Sequence, residues 1–225
     1  MALDLVVIAA ALLPVLWRAH EVGALLHIAS PGCFTLPLWW ACLAGLSMLY
    51  GLHGFIWNFP ETYTALTRRL PLSLLGDNPV KVFAVLEILG KFWQASMCYA
   101  LLGTEGVSTV LEAARASPAW CWCVLALYLI AGQGLNAGIY AAIGNDGVYY
   151  GFKLGRPVPW CTGFPFNIGL RHPQYVGVVL TLLGATTVMI AAPLALFVQL
   201  MLAWAGMYVV MSVMEQLGDN NKKVV

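Results

Sequence analysis

The chain has 225 residues, of which 61% are hydrophobic and 9% charged, with a formal net charge of +1. A charged fraction so far below the roughly 25% of soluble domains excludes an ordinary water-soluble fold, and a near-neutral balance offers nucleic acid no basic face. The fold class is therefore an all-α, polytopic transmembrane helical bundle, because a helix satisfies its backbone within itself in lipid and an open sheet does not.

A spanning helix needs about 20 apolar residues. Ala2 to Trp17 is a first, short apolar segment; it carries Asp4 instead of the basic start of a signal peptide and is expected to be retained. Cys33 to Trp57 is the second span, Val80 to Leu102 an amphipathic third and Pro118 to Ile143 the fourth. Val176 to Met214 is 39 residues, too long for one crossing, and Ala191-Ala192-Pro193 interrupts it. It reads as a helical hairpin, segments five and six. The six cysteines sit mostly inside apolar runs, as buried free thiols do. Residues 1–225 are expected to form a single membrane-embedded domain.

With six spans both termini share one side. The loops of that side hold Arg68, Arg69, Lys81, Lys153, Arg156, Arg171, Lys222 and Lys223, and the opposite loops hold only Arg18 and Arg115. Positive charge concentrates on the cytosolic side of membrane proteins, so both termini are expected there. Lys222 and Lys223, near the C-terminus, are spaced like a dilysine retrieval signal of the endoplasmic reticulum; two solvated lysines are the alternative, and the expected cytosolic orientation favours the signal.

The residues able to do chemistry fall late in the chain. Arg171-His172-Pro173-Gln174-Tyr175 precedes the hairpin, where polar groups at a helix mouth mark a site more often than an anchor. Gly132-Gln133-Gly134 lies late in span four, without the spacing or strand of a dinucleotide fingerprint; close helix packing and contact with a ligand both account for it. Glu215-Gln216 closes the hairpin, which folds Glu215 back towards Arg171 and His172. Tyr149 and Tyr150 lie in an aromatic, cationic loop, as interfacial belt residues or as a cation–π surround for an amine. In span three, Glu87 and Lys91 are spaced i, i+4 and can pair on one face extended by Gln94; an internal ion pair and a headgroup site are the two readings. His53 and Glu61, near the cytosolic end of span two, can face the same cavity.

Gly132-Gln-Gly-Leu-Asn136, Gly147-Val-Tyr-Tyr-Gly151, Pro159-Trp160, Phe164-Pro-Phe166 and Pro173-Gln-Tyr-Val-Gly177 resemble the plant-type phospholipid N-methyltransferases, as does Trp57-Asn-Phe-Pro-Glu-Thr62. The resemblance is good from 130 to 215 and weak before 50. It implies methylation of mono- or dimethyl-phosphatidylethanolamine towards phosphatidylcholine in the endoplasmic reticulum membrane, with S-adenosylmethionine as methyl donor. It makes residues 130–216 the cofactor-binding half. Gly132, Gln133, Gly134, Arg171, His172, Glu215 and Gln216 are the residues expected at the donor, and Tyr149, Tyr150 and Tyr175 at the lipid. The family pattern has a second glutamate where Gln216 stands. The proton acceptor stays open between His172, Glu87 and bulk water. The Arg171 to Gly177 pattern also resembles isoprenylcysteine carboxyl methyltransferases and part of some sterol reductases. A non-catalytic lipid-binding protein is the alternative outside enzymes.

Overall fold

The computed structural model describes residues 2–28, 37–159, 161–190 and 192–222, and its regular structure is entirely helical over that range. Helices α1 (Ala2–Glu21), α2 (Leu25–Ile28), α3 (Pro37–Asn58), α4 (Pro60–Thr67), α5 (Pro79–Arg115), α6 (Ala119–Val148), α7 (Pro173–Met189) and α8 (Ala195–Lys222) follow one another. Trp160 and Lys223, with the start of expected span two, lie outside the described residues.

All six expected segments are helices, but only α1, α3, α6 and Ala195–Leu217 of α8 are long and apolar enough to cross a membrane by length and composition. α7 has 17 residues, which at 1.5 Å per residue is about 25 Å, slightly under the bilayer core. α5 fails on polarity, since Glu87, Lys91 and Gln94 fall in its apolar stretch. It is inverted in cross-section. Glu87 and Gln94 are buried while Ile88, Leu89, Phe92 and Trp93 are exposed, the arrangement of a helix that shows lipid its apolar side and the bundle its polar one.

Two expected ends coincide with glycine breaks. α5 kinks at Gly103 (φ 64°, ψ −177°) and α6 at Gly144 (φ 66°, ψ −179°), each one residue past the predicted ends at Leu102 and Ile143. This positive-φ conformation is nearly free for glycine and costly for other residues. α7 and α8 form the expected hairpin, joined through the 3-10 turn Ala192–Leu194.

α6 and α7 make the most extensive helix pair, and α7 also packs on α1 and α8. Their approach depends on glycine. A Cβ on Gly132 would lie 2.3 Å from the Gly177 carbonyl oxygen, and one on Gly177 would lie 2.5 Å from the Gly132 oxygen. Gly132 thus serves close helix packing. By contrast, a Cβ at Gly134 would meet nothing within 4 Å.

The chain direction alternates so that the start of α1, the end of α3, the start of α5, the end of α6, the start of α7 and the Glu215 turn of α8 share one end of the bundle. Asp4 demonstrates this for α1: its Oδ1 accepts hydrogen bonds from the backbone N–H groups of Arg171 at 3.0 Å and His172 at 3.3 Å.

Candidate active site: two cavities sharing one wall

The polar side chains of five elements converge at that end. The loop after α6 turns back sharply at Tyr150, which adopts φ 58°, the only non-glycine residue with positive φ among those described. Such a conformation costs on the order of 1–3 kcal/mol and persists only where the surroundings impose it. Here they do. The Gly151 N–H donates to the Asp146 carbonyl at 2.6 Å, and the Tyr150 ring stacks on Phe83 with centroids 5.6 Å apart. The hydroxyl meets His53 Nδ1 and Tyr175 Oη at 2.9 Å and donates to Glu215 Oε1 at 2.5 Å.

Glu215 is 7% exposed. Its Oε1 also accepts from the Tyr175 hydroxyl, and its Oε2 lies 3.5 Å from His172 Nδ1. The His172 ring is parallel to Tyr175, 5.7 Å away with 4° between planes. On the other side, His53 Nε2 hydrogen-bonds Glu87 Oε1. Lys91 Nζ stands 3.9 Å from Glu87 Oε2 and donates to the Tyr208 hydroxyl at 2.9 Å. The expected Glu87–Lys91 pair is therefore present but long, and His53 takes the nearer place on the carboxylate. Burial, then the Glu215 charge, raises the Tyr150 hydroxyl well above its ordinary pKa, so it stays a proton donor.

These groups separate two cavities. One, of 270 Å³, is lined by Arg171, His172 and Glu215 with Trp57, Phe152 and Phe166. The other, of 330 Å³, is lined by His53, Glu87, Lys91, Tyr140, Tyr149 and Tyr208. Tyr175, Gln174 and Val148 belong to both, so their common wall is one side chain thick. The second cavity lies between α5 and α6, which barely touch. Ile88 of α5 and Gln133 and Tyr140 of α6 line it and are exposed. The cavity thus opens sideways, between the two helices.

The expected residues are brought together in part. Arg171, His172, Tyr175 and Glu215 share a cavity. Tyr149 lines the other and exchanges a hydrogen bond with Tyr140 at 3.0 Å. Tyr150 is 6% exposed and its hydroxyl is fully engaged, so it links the cavities instead of surrounding an amine. Gly132 and Gly134 line neither cavity. Gln133 lines the α5–α6 cavity and donates to Thr181 at 3.0 Å. Gln216 has a buried Oε1 without a partner. Glu61 lines a separate cleft with Arg68 and Lys153. His53 stands at the centre of the network. Asp4, Tyr208 and Trp57 were not expected there; the charge of Asp4 in an apolar segment and the Trp57–Thr62 motif were the available signals, and Tyr208 had none.

Two buried polar atoms are left for a ligand. Trp57 Nε1, on the Glu215 cavity, and Asn136 Oδ1, on the Glu87 cavity, have no partner. Buried polar atoms are normally satisfied, and exceptions call for a reason.

Residues 121–217 match the phospholipid methyltransferase family. The matched stretch contains Tyr149, Tyr150, His172, Tyr175 and Glu215, and excludes His53, Glu87 and Lys91. Among curated proteins, a phosphatidyl-N-methylethanolamine N-methyltransferase of Arabidopsis thaliana is 36% identical over 106 residues, covering 47% of this chain and 57% of that protein. The chain thus matches a little over half the length of that relative. No solved structure matches it significantly. The resemblance read from the sequence to plant-type phospholipid N-methyltransferases is borne out by these matches.

Proposed function

We propose that the protein transfers methyl groups from S-adenosylmethionine to the amine of mono- and dimethyl-phosphatidylethanolamine, at the cytosolic face of the endoplasmic reticulum membrane. The observation that carries this reading is the pair of cavities meeting at Tyr175, one open sideways between α5 and α6 and one at the polar end of the bundle. A lipid and a water-soluble donor enter from different phases and must meet, and that arrangement suits both.

The Glu215 cavity fits the donor. Glu215 Oε2 and His172 face an ammonium or ribose hydroxyl, Trp57 Nε1 is an unused donor, and exposed Arg171 at the mouth suits a carboxylate. The donor supplies a methyl on an already activated sulfonium, so the protein's task is mainly alignment, worth up to roughly 7–11 kcal/mol. The Glu87 cavity fits a zwitterionic headgroup. Lys91 suits its phosphate, Glu87 its ammonium, and Tyr140, Tyr149 and Tyr208 are aromatic surfaces for methylated nitrogen. A carboxyl methyltransferase would need to hold an anionic nucleophile there, which Glu87 repels. The shared end of both termini and the loop cations support a cytosolic active face, and Lys222 with Lys223 suits retrieval to the endoplasmic reticulum.

The test is conversion by the full chain in lipid nanodiscs, followed by mass spectrometry. Mono- and dimethyl-phosphatidylethanolamine should become phosphatidylcholine in the presence of the donor. Methylation of a prenylcysteine and of neither lipid would overturn the reading.

A further inference from the structure

Methylation of a lipid amine has a requirement that the donor cavity does not meet. The substrate nitrogen enters as an ammonium, whose lone pair is held by a proton. Neither the donor nor the lipid removes that proton, so the protein or water must.

The Glu87 cavity contains a carboxylate 8% exposed, reached by no more than a few groups. His53 from α3, Lys91 from α5, Tyr140 from α6, Tyr149 and Tyr150 after it, Tyr175 from α7 and Tyr208 from α8 are the titratable groups around it. One assignment of the protons gives a continuous hydrogen-bonded chain from Glu87 to Glu215. Tyr150 and Tyr175 each have one hydroxyl proton; in this assignment both go to Glu215 Oε1, and the 2.9 Å contact between the two hydroxyl oxygens carries none. The Tyr150 oxygen therefore accepts from His53 Nδ1–H. His53 Nε2 and Glu87 Oε1 share one further proton in the hydrogen bond between them. Glu87 Oε2 is left facing the cavity and Lys91.

We infer that Glu87 is the group that accepts the substrate's proton, and that His53, Tyr150 and Glu215 carry the charge across the wall to His172. This rests on the reading of the protein as a lipid amine methyltransferase. The ammonium N–H proton passes to Glu87 Oε2. The shared proton moves onto His53 Nε2, the Nδ1 proton moves to the Tyr150 oxygen, and the Tyr150 proton moves to Glu215 Oε1. The Glu87–His53 pair, taken together, and Tyr150 end with the number of protons they began with. The positive charge has moved to Glu215 and His172, whose side chain is partly exposed. The freed nitrogen lone pair forms the new N–C bond, and the electrons of the broken S–C bond stay on sulfur. Products are a more methylated ammonium, a neutral thioether and one proton released at the polar end. Glu87 touches the substrate and is catalytic in this scheme; His53 and Tyr150 position and relay.

The experiment compares wild type, Glu87→Gln, Glu87→Asp and Tyr150→Phe, as full chains in nanodiscs, with dimethyl-phosphatidylethanolamine from pH 7 to pH 9. General-base removal costs about 100- to 10,000-fold in turnover at pH 7. An alkylammonium of ordinary pKa gains about tenfold in its neutral fraction per pH unit, so Glu87→Gln should recover by about that slope, whereas wild type should rise less. The other titratable groups are common to both proteins, so the difference between profiles isolates Glu87. Glu87→Asp keeps a carboxylate and should be faster than Glu87→Gln at pH 7. Tyr150→Phe cuts the chain and should show a steeper pH recovery than wild type. Without donor, Glu87→Gln should weaken binding of dimethyl-phosphatidylethanolamine by about 10- to 150-fold, and binding of phosphatidylcholine, which has no N–H to donate, by less. A Glu87→Gln rate within about threefold of wild type at pH 7, or a loss equal at every pH, overturns the inference. If Glu87→Gln does not fold, a Tyr150→Phe profile parallel to wild type overturns it instead. If wild type methylates no lipid amine, the reading of the function fails, and the relay with it.

Discussion

Gly132→Ala tests the contact on which the common wall of the two cavities rests. The added Cβ would stand 2.3 Å from the Gly177 carbonyl oxygen and 2.8 Å from Thr181 Oγ1. The first neighbour is backbone and cannot rotate away, so α6 and α7 must part by about 1 Å, an overpacking that typically costs about 1–3 kcal/mol. In a chain of this size, that lowers the midpoint of thermal unfolding by about 2–12 °C. Gly177→Ala meets the mirror contact at 2.5 Å and should cost a similar amount. The double variant should cost less than the two together, because one separation accommodates both methyl groups. Gly134→Ala is the control. It meets nothing within 4 Å and replaces a poor helix former by the best, a gain of up to about 1 kcal/mol. The assay is tryptophan-monitored thermal unfolding in detergent, with donor titration on the folded fraction. Gly132→Ala as stable as wild type, or less stable only in the presence of donor, would refute the packing argument and return Gly132 to the cofactor.

Glu215→Gln keeps the shape and removes the charge from a carboxylate that accepts two tyrosine hydroxyls and faces His172; the apparent donor dissociation constant should rise about 10- to 150-fold by calorimetry. Gln216→Ala should change it less, because Gln216 lines neither cavity. Asp4→Ala leaves the Arg171 and His172 backbone N–H groups without their acceptor in a site only 2% exposed; a stability loss of about 1–3 kcal/mol should accompany weaker donor binding, both read from unfolding with and without donor.

The sequence carries the helices better than their partnerships. Hydropathy locates the apolar runs, and Gly103 and Gly144 end two of them where the runs themselves end. The hairpin follows from a 39-residue stretch broken by Pro193, and the hairpin in turn brings Glu215 to the end where Arg171 and His172 stand. The i, i+4 spacing of Glu87 and Lys91 is equally visible, but spacing on one helix does not reveal what stands opposite. His53 takes Glu87 because α3 and α5 cross there, a contact between residues 34 positions apart. Tyr150 was read as a ligand for an amine because tyrosines in a cationic loop look alike. Its left-handed φ, which turns the ring inward, is a property of the turn held by Gly151. Gly132 and Gly134 are indistinguishable in sequence, yet one faces a neighbouring backbone and the other faces out.

Under the proposed function, the slender contact between α5 and α6 sets the cost of bringing a lipid to the site. Moving a chain of about 16 carbons wholly from hydrocarbon into water costs on the order of 12 kcal/mol, at about 0.8 kcal/mol per methylene, and two-chain lipids twice that. A pocket entered only from the aqueous end would impose this cost at every turnover. A slot between two helices imposes almost none of it, because the tails remain among their neighbours while the headgroup alone slides in. Under the proposed function the product leaves by the same slot, into the same leaflet, and a lipid bearing one new methyl group needs no second extraction to receive another.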